Sequence, residues 1–76
     1  MSNVGIDGRK VYKYRKEKLH ISQEKLSEIS GVSRSQIQRI EMSNNYPCNL
    51  RTIGKLAAAL KVKVEDLIYQ GEKLNE

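Results

Sequence analysis

Residues 22–41, SQEKLSEISGVSRSQIQRIE, constrain this chain more than any other stretch. They hold two apolar pairs at helical spacing, Leu26 with Ile29 and Ile37 with Ile40, on either side of Gly31. Each pair belongs to a helix of only about two turns, which is not stable alone in water. A glycine between them supplies the positive φ that ends one helix and aims the next. Two such helices persist only when packed on each other and on a core supplied by the rest of the chain.

Local chemistry marks both starts. Ser22 is placed to N-cap the first of these helices, with Glu24 in its first turn suiting the helix dipole. Lys25 stands where a full capping box needs Glu or Gln. The second helix has that box: Ser33 followed three residues later by Gln36. Val32 plugs the turn between them. Ile37 and Ile40 face inward, which leaves Arg34, Ser35, Gln38 and Arg39 on the other faces.

The remaining segments read as support. Residues 1–8 are expected to be a flexible N-terminal arm, with a helix start at Asp7 or Gly8. Residues 9–70 form one domain, and 71–76 a polar C-terminal tail. Arg9 to Lys18 is a first helix with Val11 and Tyr14 inward and basic residues outward. Leu19, His20 and Ile21 turn the chain. Residues 42–49 are a loop, because Asn44 and Asn45 tolerate left-handed backbone and Pro47 cannot sit inside a helix. Asn49 caps a fourth helix with the stripe Leu50, Ile53, Leu56, Ala57 and Leu60. Val64, Leu67 and Ile68 make a short fifth. No segment is long enough or suitably partnered to be a strand. The expected fold is compact and all-α, with five helices around Val11, Tyr14, Leu26, Ile29, Val32, Ile37, Ile40, Leu50, Ile53, Leu56, Leu60, Val64 and Leu67.

Composition narrows the function. With 76 residues the chain is one domain at most, burying about 60% of its extended surface. Cys48 is the only cysteine and His20 the only histidine, so neither an internal disulfide nor a zinc ligand set exists. No metal and no cofactor is expected. The lone thiol suits a reducing cytoplasm. No apolar run reaches membrane-spanning length, and the first ten residues lack the hydrophobic block of a signal peptide. An enzyme is excluded by the same scarcity: Cys48 has no neighbouring base, His20 lies in a turn, and no glycine-rich phosphate loop is present.

The net charge of +5 is unevenly placed. Residues 1–40 hold nine basic and four acidic side chains, residues 41–76 five of each. The whole excess lies in the half that contains the paired helices, an electrostatic footprint for a polyanion.

Two short helices joined through a glycine turn form a helix-turn-helix unit, able to dock its second helix in the major groove of DNA. Arg34 and Arg39 can each fork onto guanine O6 and N7, and Gln38 can pair with adenine N6 and N7. Ser35 can reach a base or a phosphate. Gln23 and Ser22, at the first turn of the preceding helix, and Ser33 are placed for phosphates. Lys16 and Lys25 join them as phosphate candidates, with Lys10 and Lys18 contributing bulk charge.

The run from Val11 to Ile68 resembles the Cro/C1-type (XRE-type) helix-turn-helix family of phage and bacterial regulators. The resemblance rests on RKEK at 15–18, SQEKLSEISGVSRSQIQRIE at 22–41, Pro47, and LRTIGKLAAALKV at 50–62 followed by Leu67. It implies a lambda-repressor-like fold. It also implies a cytoplasmic protein that binds a pseudo-palindromic operator in double-stranded DNA as a homodimer, often as a repressor. By position, the family's phosphate clamp falls on Gln23 and its base-reading positions on Arg34, Ser35, Gln38 and Arg39. Glu41 matches an acid that pairs with a basic residue of the first helix, here Arg15 or Lys16. The Leu19-His20-Ile21 connection is one residue longer than usual, and the glycine common after Arg-Ile-Glu is missing. A restriction–modification controller protein, or an antitoxin-like module with a protein partner, is the alternative within the same resemblance. Helix five and the loop around Tyr46, with Leu67, Ile68 and Tyr69, are the expected dimer surface.

Overall fold

The computed structural model describes residues 3–71. In order, it contains β1 (Val4–Ile6), α1 (Gly8–Lys13) running on into a π-helical turn (Tyr14–Lys18), α2 (Gln23–Ser30), α3 (Arg34–Glu41), β2 (Tyr46–Cys48), α4 (Leu50–Leu60) and a 3-10 turn (Val64–Asp66). The fold is mostly helical, as expected, but it is not all-α.

The two strands correct the reading of residues 1–8 as an arm and 42–49 as a loop. β1 and β2 pair antiparallel, Val4 opposite Cys48 and Ile6 opposite Tyr46. Ile6 also bridges to Ile68. On that side Asp7 N–H donates to Leu67 O at 2.7 Å and Tyr69 N–H to Gly5 O at 2.8 Å. Segments this short carry little periodicity of their own, so only the pairing defines them. Residues 1–2 of the expected arm and 72–76 of the expected tail lie outside the described residues.

The caps form as the sequence predicts. Ser22 Oγ accepts from Lys25 N–H at 2.9 Å, Ser33 Oγ from Gln36 N–H at 3.2 Å, and Asn49 Oδ1 from Thr52 N–H at 2.8 Å. Gly31 closes α2 in the left-handed region, at φ 80°. Asp7 caps α1, accepting from Arg9 N–H at 3.1 Å. The expected fifth helix shrinks to a single 3-10 turn. There the polarity of the cap is reversed: Asp66 Oδ2 accepts from Lys63 N–H at 3.0 Å.

The first helix ends in a wide turn before the Leu19-His20-Ile21 connection. The last turn widens, so that Leu19 N–H donates to Tyr14 O, five residues back, at 3.0 Å. His20 follows in the left-handed conformation (φ 56°), and Ile21 N–H donates to Arg15 O at 3.1 Å. The missing glycine after Glu41 has an equally local answer. Met42 ends α3 at φ −84°, which needs no glycine, and Ser43 O then accepts from Gly8 N–H at 3.0 Å.

The core gathers Val11, Leu26, Val32, Ile37, Ile40, Ile53, Leu56, Ala57, Leu60 and Leu67, joined by Ile6 and Cys48 from the strands. Three expected members stay outside it. Ile29 is 47% exposed because it is next to last in α2, where no further turn remains to cover it. Leu50 is 57% exposed at the first position of α4, before that helix meets the core at Ile53. Val64 begins the 3-10 turn at the surface, and Leu67 enters in its place. Leu67 and the partly buried Ile68 thus close the monomer core rather than form a free surface.

Candidate nucleic-acid interface

α3 projects because only one side of it is apolar. Ile37 and Ile40 are fully buried, while Arg34, Ser35, Gln38 and Arg39 are all exposed. At 100° per residue these four fall within an arc of roughly 140°, opposite the isoleucines. Among the described residues, no hydrogen bond or ion pair ties down the Arg34, Gln38 or Arg39 side chain. Ser35 Oγ lies 3.5 Å from Ser33 Oγ. The arrangement is a presented row of donors and acceptors on a helix whose back is anchored.

The anchoring carboxylate is Glu41. It accepts from Arg15 Nε at 2.7 Å, from Arg15 Nη2 at 2.9 Å and from Gln23 Nε2 at 2.9 Å. Arg15 is only 6% exposed, and its Nη1 donates to Ile21 O at 2.9 Å. Its guanidinium also lies over the Tyr12 ring, 5.3 Å from the centroid. Arg15, not Lys16, is therefore the partner of Glu41. Arg15 lies four residues after the buried Val11 on the same helix face, while Lys16, one residue on, stays exposed.

A cleft of about 570 Å³ opens between the first helix, α2 and the start of α3. It brings together four expected residues, Lys16, Ser22, Gln23 and Arg34, and adds His20 from the turn after the first helix. Gln23 has one of its amide donors on Glu41, so the side chain is held at the cleft wall with a second N–H to offer. The exposed N-terminal N–H groups of α2 adjoin it, where an anion is favoured.

Other expected residues lie elsewhere. Lys25 is on the outer face of α2, its Nζ 3.5 Å from Glu28 Oε1 in an exposed pair. Ser33 and Ser35 stand at the exposed start of α3. Lys18 turns away altogether: Nζ donates to Lys61 O at 3.0 Å and to Leu60 O at 3.4 Å, at the C-terminal end of α4. The signal for Arg15 was in the sequence as one of two choices. His20 joins the cleft through the turn after the first helix, which its neighbours in sequence do not reveal.

Among the described residues, no group of His, Cys, Asp and Glu side chains could hold a metal ion, and no helix is long and apolar enough to cross a membrane. The family model described as helix-turn-helix matches residues 11–67. No curated protein and no solved structure matches the chain.

Proposed function

The chain belongs to the Cro/C1-type helix-turn-helix family, whose members are DNA-binding regulatory modules, and from that premise we propose a sequence-specific transcriptional repressor. It binds double-stranded DNA as a homodimer and reads the major groove with α3. The observation that carries this reading is the exposed row of Arg34, Ser35, Gln38 and Arg39 on a helix fixed from behind by Ile37, Ile40 and Glu41. Arg34 and Arg39 take guanine edges, Gln38 an adenine edge, and Ser35 a base or phosphate, each good bidentate pair contributing about 1–3 kcal/mol of discrimination. Ser22, Gln23, Ser33, Lys16 and Lys25 hold phosphates and set the register of the helix in the groove. The excess of basic residues in residues 1–40, the half that holds α2 and α3, supports the same reading.

A twofold dimer reading adjacent major grooves requires a pseudo-palindromic operator, with half-sites about 34 Å apart. Leu67 is fully buried in the monomer, while Tyr46 and Tyr69 are half-buried and leave surface for a partner copy. The controller-protein reading shares this chemistry. An antitoxin-like partner is disfavoured at α3, whose outer face offers charge and amides rather than aromatic or apolar anchors.

Selection of bound duplexes from a random pool, at fixed moderate salt, tests the proposal. The expected result is a short palindrome for the wild type, lost or relaxed in Arg34→Ala and in Arg39→Ala. Recovery of no sequence, with affinity that merely falls with salt, would show backbone electrostatics alone and overturn the base-reading roles.

A further inference from the structure

We propose that His20 is a phosphate-contacting residue of the DNA interface, through which proton uptake strengthens binding as the pH falls. The inference rests on the DNA-binding reading above and adds a regulatory property to the same site.

Its backbone is the first observation. His20 sits at φ 56°, a left-handed conformation that glycine adopts freely and most other L-residues avoid. The widened Tyr14–Lys18 turn and the Ile21 N–H to Arg15 O bond hold it there. The side chain so placed is exposed and lines the cleft that also contains Lys16, Gln23 and Arg34.

The charges around that cleft give the sign. From the first helix come Lys16 and Arg15, the latter already engaged with Glu41 and Ile21 O. α3 contributes Arg34, and α2 contributes Glu24, the one acid lining the cleft among the described residues. The N-terminus of α2 adds its partial positive charge. A phosphate in the cleft adds negative charge beside all of them and favours the imidazolium. Binding and protonation are linked, so each promotes the other. Histidine is the side chain whose ordinary titration falls between about pH 5 and pH 8, where carboxylates and lysines keep their charge.

The experiment measures affinity by fluorescence anisotropy across a salt series, at about pH 8 and about pH 5.5. The probe is a duplex recovered by the selection, and the proteins are the wild type, His20→Asn and His20→Gly. Both variants tolerate the left-handed backbone, and thermal melts establish that they are folded. The wild type should bind between about threefold and tenfold more tightly at the lower pH. The slope of log K against log salt should steepen by about 0.9, the signature of one further phosphate contact. Both variants should show the same slope at the two pH values. Equal pH responses in wild type and variants, or no response in any, would overturn the role of His20 while leaving the DNA reading intact. A folded wild type that binds no duplex at about pH 8 would sink the interface itself, and this inference with it.

Discussion

Arg15 and Glu41, 26 positions apart in the chain, meet in a buried bidentate pair at 2.7 and 2.9 Å. Both side chains are almost fully enclosed, at 7% and 5% exposure. The pair joins the first helix to the end of α3, and Gln23 brings the start of α2 to the same carboxylate. One acid thus sets the mutual placement of the three elements that carry the residues proposed to face DNA.

Removing either partner strands a buried charge. Glu41→Ala and Arg15→Ala should each cost about 3–5 kcal/mol, most of the stability of a domain this small. Arg15→Lys should also be severe, because one ammonium cannot serve the carboxylate fork and Ile21 O together. Urea denaturation measures this. A lysine variant within about 0.5 kcal/mol of wild type would show that the fork geometry is dispensable.

Gly8 is fixed by space rather than by φ. A Cβ there would run into the backbone oxygens of Ile40 and Ser43, and Gly8 N–H itself donates to Ser43 O at 3.0 Å. Backbone cannot rotate aside as a side chain can. Gly8→Ala should therefore destabilise by about 3 kcal/mol or more, although alanine is the better helix former. A thermal melt as stable as wild type would mean that α1 and the end of α3 can separate freely.

Lys16 and Lys18 should behave differently despite their proximity. Lys18 caps α4, so Lys18→Met should lower stability by no more than about 1 kcal/mol and leave the salt slope of DNA binding unchanged. Lys16→Ala should leave stability unaffected and reduce that slope by about 0.9. Equal slopes for the two variants would remove Lys16 from the phosphate set.

Cys48 is 3% exposed, and burial pushes its thiol pKa up, partly offset by hydrogen bonds to Thr52 and Asn49. Since only the thiolate reacts, native protein should resist alkylation until it unfolds. A raised folded-state pKa means that ionisation favours the unfolded chain. The associated stability is fully present below the ordinary thiol value and is lost as pH rises through the raised one. Cys48→Ala should lose that alkaline dependence; an unchanged pH profile between wild type and variant would assign it elsewhere.

Ser22, Ser33, Asn49 and Gly31 act within one turn of the backbone, so their roles could be read directly from residue order. The buried positions Leu26, Ile37, Ile40 and Leu56 were equally legible, because helical period alone puts them on one face. That same period identified Arg34, Ser35, Gln38 and Arg39 as what remained outside. Only the tertiary structure decided the rest. β1 and β2 are three residues each, and such strands exist through their partners. Ile29 and Leu50 have the right spacing but sit at helix ends, where cover depends on what lies beyond. Arg15 was separated from Lys16 only by Glu41, 26 positions away, which takes the guanidinium fork of one and leaves the other exposed. Local sequence determines which backbone bonds and faces a segment can offer; which of them are buried is decided by contacts between segments far apart in the chain, and no periodicity encodes those.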